Sequence, residues 1–200
     1  MHSSSSVANR LRGNLGKFRR LLLEFRVSFC VDCGTMFPFE LQKPCVKVTG
    51  ESIKCISFLP DLIEPDKILL YLGMNKGTLR VYHINYHATL PNTTKPDYKE
   101  ELICQVVITR KRPIRKIVAV GGPVQGVIVL CEGKVSLHHL RQLTAIQHFD
   151  QHVEATEFSV DKTSQKLSKL CVADKRTVVI YEYIGDTYVV LTKINFEEVY

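Results

Sequence analysis

Four groups of residues in this 200-residue chain have types and spacings that invite a chemical reading. Cys30-Val31-Asp32-Cys33 is a C-x-x-C pair. A structural zinc site needs four ligands, and no second pair follows, since Cys45 and Cys55 stand ten residues apart. A redox pair would open a helix in a βαβ setting, and no such setting surrounds it. Gly121, Gly122 and Gly126 have the spacing that opens a phosphate loop, but Val127 and Ile128 stand where Lys and Ser or Thr are required. Pro123 removes a further backbone donor, so the segment reads as a turn between strands. His138, His139, His148 and His152 suggest a metal or a pH sensor. Adjacent histidines on a strand point to opposite faces, however, so only one of the first two could join a given site. The fourth group, Arg110, Lys111, Arg112, Arg115 and Lys116, packs five cations into seven residues around Pro113 and Ile114. A nuclear-localisation-like or anionic-lipid patch is one reading, and a solvated turn feeding the strand at Ile117 is the favoured one. The run is also the best placed surface for an acidic partner, where exposed charge aids encounter more than affinity.

No nucleophile elbow of the Gly-x-Ser-x-Gly kind occurs, and spacing alone supports no Cys–His pairing. Glu100 with Glu101, and Glu197 with Glu198, read as solvated loop ends. The expectation is a protein that is not an enzyme, with no catalytic, cofactor-binding or metal-ligating residues.

The elements that would position these groups fall into two regions. Residues 1–35 form a basic extension in which Leu11, Leu15, Phe18, Leu22, Phe25 and Phe29 recur at helical spacing, weakened by Gly13 and Gly16. A transit peptide, a membrane-surface or partner-binding helix, and an extension outside the fold remain open for it. Met36 stands just before the folded pattern. The net charge of +7 invites a nucleic-acid reading, yet residues 1–34 carry +4 of it and leave +3 for the rest. A nucleic-acid domain would gather charge on one face with aromatics interleaved, so no nucleic-acid partner is expected. Hydrophobic residues at 45% and charged residues at 24% match an ordinary globular domain. The seven cysteines are an odd number, several within apolar runs, which reads as reduced thiols in the cytosol.

Residues 36–200 form the second region, and from Cys45 onward the period changes from helical to alternating. Runs rich in Val, Ile, Leu and Tyr, bounded by Gly, Asn, Asp or Pro, predict strands over 53–59, 68–72, 78–84, 102–109, 114–120, 124–131, 134–140, 154–160, 167–173, 177–184 and 187–194. The segment 85–101 reads as a polar loop insertion. Segments 68–82, 127–138 and 170–181 resemble one another, each a buried-looking strand, a tight polar turn and an alternating strand ending in an aromatic ring. Their post-turn residues Thr78, Lys134 and Thr177 are 56 and 43 apart, against about 40–50 residues for a four-stranded propeller blade. A β-sandwich shares the alternation, but the repeat favours a propeller. The expected fold is therefore all-β: a partial β-propeller of three to four blades, incomplete as a ring, with the basic extension ahead of it.

From about Pro38 to Tyr200 the chain resembles the N-terminal part of a citron homology (CNH) domain. The resemblance is carried by Ile53-Lys54-Cys55-Ile56, by Leu70-Tyr71-Leu72-Gly73 through Gly77-Thr78-Leu79-Arg80-Val81-Tyr82, and by Arg112-Pro113-Ile114-Arg115-Lys116-Ile117. It continues through residues 127–138 with Leu140 and Leu143, and through Lys169-Leu170-Cys171-Val172-Ala173 to Val179-Ile180-Tyr181-Glu182. The form most similar is the one that opens the vacuolar-sorting tethering subunits of the HOPS and CORVET complexes and the TGF-β-receptor-associated protein family. The resemblance implies a non-catalytic scaffold in vesicle tethering and intracellular protein transport that engages small GTPases and tether subunits. It implies a cytoplasmic place, peripheral on late endosome, lysosome or vacuole membrane. CNH regions also serve as regulatory appendages of Ste20-like kinases and Rho exchange factors, which is the alternative role.

Overall fold

The computed structural model describes residues 46, 48–64, 66–86, 98–151, 154–161 and 169–196. All of these fall in the unit Cys45–Tyr200. The expected boundary at 35/36, the basic leader, Cys30, Cys33, His152, Glu197 and Glu198 lie outside the described residues. So does most of the polar segment 85–101.

The described residues contain no helix and twelve strands. These are β1 (Ile53–Pro60), β2 (Lys67–Met74), β3 (Thr78–Tyr86), β4 (Tyr98–Val107), β5 (Ile114–Val120), β6 (Gly126–Cys131), β7 (Lys134–His139), β8 (Ala145–His148), β9 (Glu157–Val160), β10 (Lys169–Ala173), β11 (Thr177–Ile184) and β12 (Thr187–Asn195). They form three four-stranded antiparallel sheets, each a meander in sequence order: β1–β4, β5–β8 and β9–β12. The three look-alike segments fall on β2–β3, β6–β7 and β10–β11, the second and third strands of successive sheets. Gly77 at φ 79° and the Glu132-Gly133 pair at 52° and 70° close the first two of these hairpins. Asp174 closes the third, its Oδ1 accepting from the backbone N–H groups of Arg176 and Thr177 at 2.8 and 2.7 Å.

Two predicted features change. β8 was not expected, because Ala145-Ile146-Gln147-His148 is short and mostly exposed. Glu100 and Glu101 sit on β4 rather than at a loop end, paired across from Ile84 and His83. An outer strand needs only backbone partners, so exposed acids are compatible with it.

Packing runs from sheet to sheet. Along β6, Val127 and Val129 join Leu69, Tyr71, Leu79 and Val81 of the first sheet. The alternate residues Ile128 and Leu130 join Phe158, Leu170, Val172 and Tyr181 of the third. The middle sheet is therefore buried on both faces, and a two-sheet sandwich is not what forms. First strands lie beside one another: the Ala119 N–H donates to Ser57 Oγ at 2.9 Å, and Lys116 Nζ donates to the Phe158 carbonyl at 2.7 Å. Outer strands meet as well. The Gln147 side chain exchanges two hydrogen bonds with the Tyr188 backbone, at 2.7 and 2.9 Å. Phe149 stands edge-on to Tyr181 and Tyr188 beside that clasp.

Gly73 lies at a close approach of the first two sheets. A Cβ there would lie 2.5 Å from Cys55 Sγ and 2.9 Å from Ile114 Cγ2. Gly73→Val should lower the unfolding free energy by about 1–3 kcal/mol through overpacking. Gly121→Ala, whose Cβ would meet only Leu59 at 3.4 Å or beyond, should stay within about 0.5 kcal/mol. Urea unfolding of both variants reads this out, and equal losses would mean that the sheets do not meet at Gly73.

Candidate functional site

The densest group of buried charge lies where the β1–β2 loop, strand β3 and the β7–β8 turn meet. Pro60 ends β1, and Asp61 follows as a loop-closing residue. Its N–H donates to the Lys67 carbonyl at 3.0 Å, and its Oδ1 accepts from the Ile63 and Glu64 N–H groups at 2.9 and 3.4 Å. Asp favours this turn because its short side chain reaches the backbone two and three residues ahead. The second oxygen, Oδ2, meets His83 Nε2 at 2.7 Å and Arg141 Nη2 at 2.5 Å. Arg141 comes from the second sheet, 80 positions along the chain, so the carboxylate fastens two sheets. Tyr71 adds a neutral tie, its hydroxyl donating to the Leu140 carbonyl at 3.0 Å.

The Asp61 side chain is 1% exposed. Burial alone would push its carboxyl up, but the Arg141 guanidinium, the Ile63 N–H, His83 and the Glu64 N–H more than reverse this, bringing it down to about 2. A carboxylate so stabilised stays ionised at neutral pH and serves as a fixed acceptor for both His83 and Arg141. Asp61, Glu64 and His83 also bring ligand atoms within 4.8 Å of one another. The position a cation would take is already served by Arg141, which also lies 3.8 Å from Glu64 Oε1, while Lys67 pairs with Glu64. The donor set is satisfied by protein cations and does not fit a metal ion.

Beside the cluster lies a cavity of about 200 Å³, lined by Leu62, Ile63, Leu69, Gln125, His139 and Gln142 among others. That is below the roughly 300–1,000 Å³ of ordinary ligand pockets. Leu62 and Ile63 at its lip are 57% and 74% exposed, a pair of aliphatic side chains held out by the Asp61 turn.

The predicted histidines separate as alternation requires: His138 is buried and His139 exposed. His138 Nδ1–H donates to the Leu143 carbonyl at 3.0 Å, and Nε2 accepts from Ser136 at 2.8 Å. Burial pushes its pKa down, so it is a neutral structural link. It secures a turn in which Leu143, fully buried, takes φ 55°. His148 is exposed on β8. Residues 121–125 form the turn between β5 and β6, as expected in place of a phosphate loop.

The basic run is divided. Arg110, Lys111 and Arg112 are exposed in the β4–β5 turn, and Arg115 is exposed one residue into β5. Lys116 does not join them. It turns into the boundary between the second and third sheets, with Glu157 Oε1 and the Phe158 carbonyl each at 2.7 Å and the Phe158 ring centroid at 5.1 Å. Asp61, His83 and Arg141 were not singled out in the sequence, and no local spacing links three residues spread over 80 positions. No protein-family model matches this chain, and no curated protein matches it. Among the described residues, no helix is long and apolar enough to cross a membrane.

Because the folded Asp61 pKa lies below its ordinary 3.8, its contribution is present above pH about 4 and is lost as pH falls through about 2. The shift corresponds to about 2 kcal/mol. Asp61→Asn should lose at least that much at neutral pH and show a flatter stability profile between pH 4 and 2 than the parent. Urea midpoints across that range check it, and parallel profiles would rule out Asp61 as the source.

Proposed function

We propose that this chain is a non-catalytic protein-interaction scaffold built as three blades of a CNH-type β-propeller. In this reading it engages small GTPases or tethering-complex subunits in vesicle tethering, from the cytoplasmic side of late endosomal, lysosomal or vacuolar membranes. The observation that carries the reading is the succession of three meander sheets whose first strands neighbour one another, β1 on β5 and β5 on β9. In a propeller, successive four-stranded sheets pack face to face around an axis lined by their first strands. The residues that resemble the CNH family lie mostly on β1, on the β2–β3, β6–β7 and β10–β11 hairpins, and at the start of β5.

Two features support a binding role over a chemical one. The buried polar groups at Asp61 and His138 are internally satisfied, and the cavity beside Asp61 is small. Strand β12, by contrast, leaves Val189, Val190, Leu191 and Ile194 between 39% and 51% exposed, with Phe196 beyond it at 57%. These residues alternate between the two faces of an edge strand, which leaves apolar side chains on both sides of β12 open to cover by other protein.

The rival within the same family is a regulatory region of the Ste20-like-kinase or Rho-exchange-factor type. Immobilised protein, offered Rab-type and Rho-type GTPases in GTP-analogue and GDP forms, separates the two. Retention of active Rab-type GTPases is expected. Selective retention of Rho-type GTPases would favour the rival. Retention of neither, together with turnover in a hydrolytic substrate panel, would overturn the scaffold reading.

A further inference from the structure

At the end of the sheets opposite the Asp61 cluster, two turns pack together. The Gly77 carbonyl of the β2–β3 turn accepts from the Ile108 and Thr109 N–H groups at 2.9 and 3.4 Å. A Cβ on Gly77 would come within 2.4 Å of the Thr109 carbonyl oxygen and 2.8 Å of that of Arg112. The Cys131 thiol donates to the Arg112 and Pro113 carbonyls at 3.8 and 3.6 Å, and the Lys111 N–H reaches Thr109 Oγ1 at 3.4 Å. The β4–β5 turn is thus braced from two sheets, and its cations are carried on a supported surface.

Lys76 of the first turn and Arg110, Lys111, Arg112 and Arg115 of the second are all exposed. Among the described residues, Lys67, Arg80, Lys116 and Arg141 each have a carboxylate within 4 Å, and these five cations have none. Glu51, whose neighbour Ser52 is bonded to Asn75, is already engaged by Arg80 and Thr78 at 3.1 and 3.2 Å. Val107, 56% exposed at the end of β4, sits beside the turn.

We propose that these two turns dock the protein onto the surface of an anionic bilayer. The five cations are exposed on two adjoining turns, an arrangement that a broad anionic surface can meet without a binding cleft. Among the described residues, neither turn carries an aromatic side chain that could stack a nucleic-acid base. A lipid surface needs neither feature. It draws exposed cations at about 1 kcal/mol each, and the attraction fades with salt. An adjoining aliphatic residue such as Val107 can enter the interface.

The test uses the full chain with phosphatidylcholine vesicles, with and without phosphatidylserine at about one lipid in three. Co-sedimentation should require the anionic lipid and fall steeply as salt rises from about 0.1 to about 0.5 M. Combined Arg110→Gln, Lys111→Gln and Arg112→Gln should weaken partitioning by about 100-fold, about fivefold for each cation. Lys99→Gln, Lys169→Gln and Lys193→Gln together remove the same charge elsewhere and should leave it nearly unchanged. Matched thermal melts show that both variants fold. Equal weakening by the two triple variants would overturn the proposal, as would binding to phosphatidylcholine alone or binding of polyglutamate in place of vesicles. GTPase retention by the Arg110, Lys111 and Arg112 variant is read separately, so failure here leaves the scaffold reading standing.

Discussion

The middle sheet has no side that can face water. Every residue of β6 is buried, with Val127 and Val129 turned one way and Ile128 and Leu130 the other. Covering each such side chain is worth about 1.5–3 kcal/mol, so this one strand commits an amount comparable to the net stability of a whole domain. β5–β8 therefore holds only while a sheet lies on each of its faces, and the chain supplies one from the strands before it and one from the strands after. Seven of the eight residues of β2 are buried as well. The third sheet meets it on one face through Leu170, Val172, Val179 and Tyr181, while β12 stays largely exposed.

Apolar contact between sheets is strong but has little direction, and the polar ties give it direction. Ser57 holds β1 against β5 through the Ala119 N–H, and Lys116 holds β5 against β9 through the Phe158 carbonyl. Gln147 clasps Tyr188 at the outer strands, and Asp61 binds Arg141 at one end of the first pair of sheets. Each such bond adds about 1 kcal/mol net, yet breaking one leaves a buried group unsatisfied at greater cost. The ties consequently choose among packings of similar burial. Tyr181, whose hydroxyl is buried without a partner in the aromatic group with Phe149, shows the opposite case, and burial raises its pKa to about 12.

Most of the strands were readable because alternation and turn residues are local signals. The hairpins closed by Gly77, Gly133 and Asp174 announce themselves in adjacent residues, and β5 and β11 fall where the pattern placed them. β8 did not, because its four residues owe their order to β7 and to the Gln147–Tyr188 clasp rather than to their own composition. Leu143 gave no warning of its φ of 55°, a conformation held by burial and by His138. The Asp61 cluster was invisible for a similar reason. An Asp after Pro60 reads as a turn residue, and only the stacking of two sheets brings Arg141 to it. Lys116 was assigned to the basic run because sequence neighbours look alike, yet strand alternation sends its side chain to a different face from that of Arg115.

The two ends of the first sheets treat charge in opposite ways, and burial explains why. Asp61 is enclosed, so an unpartnered carboxylate there would be costly, and the fold surrounds it with two N–H groups, a histidine and an arginine. Arg110, Lys111 and Arg112 remain in water, where an unpaired cation costs folding almost nothing. Pairing is thus required where charge is buried and optional where it is exposed, as the half-exposed Lys116–Glu157 pair shows. Five exposed cations without a carboxylate within 4 Å stand together at the β2–β3 and β4–β5 turns, beside the Arg80–Glu51 pair that folding does use. A surface of unspent cations, braced by Gly77 and Cys131, is available to an external anion without loosening anything that the sheets need from one another.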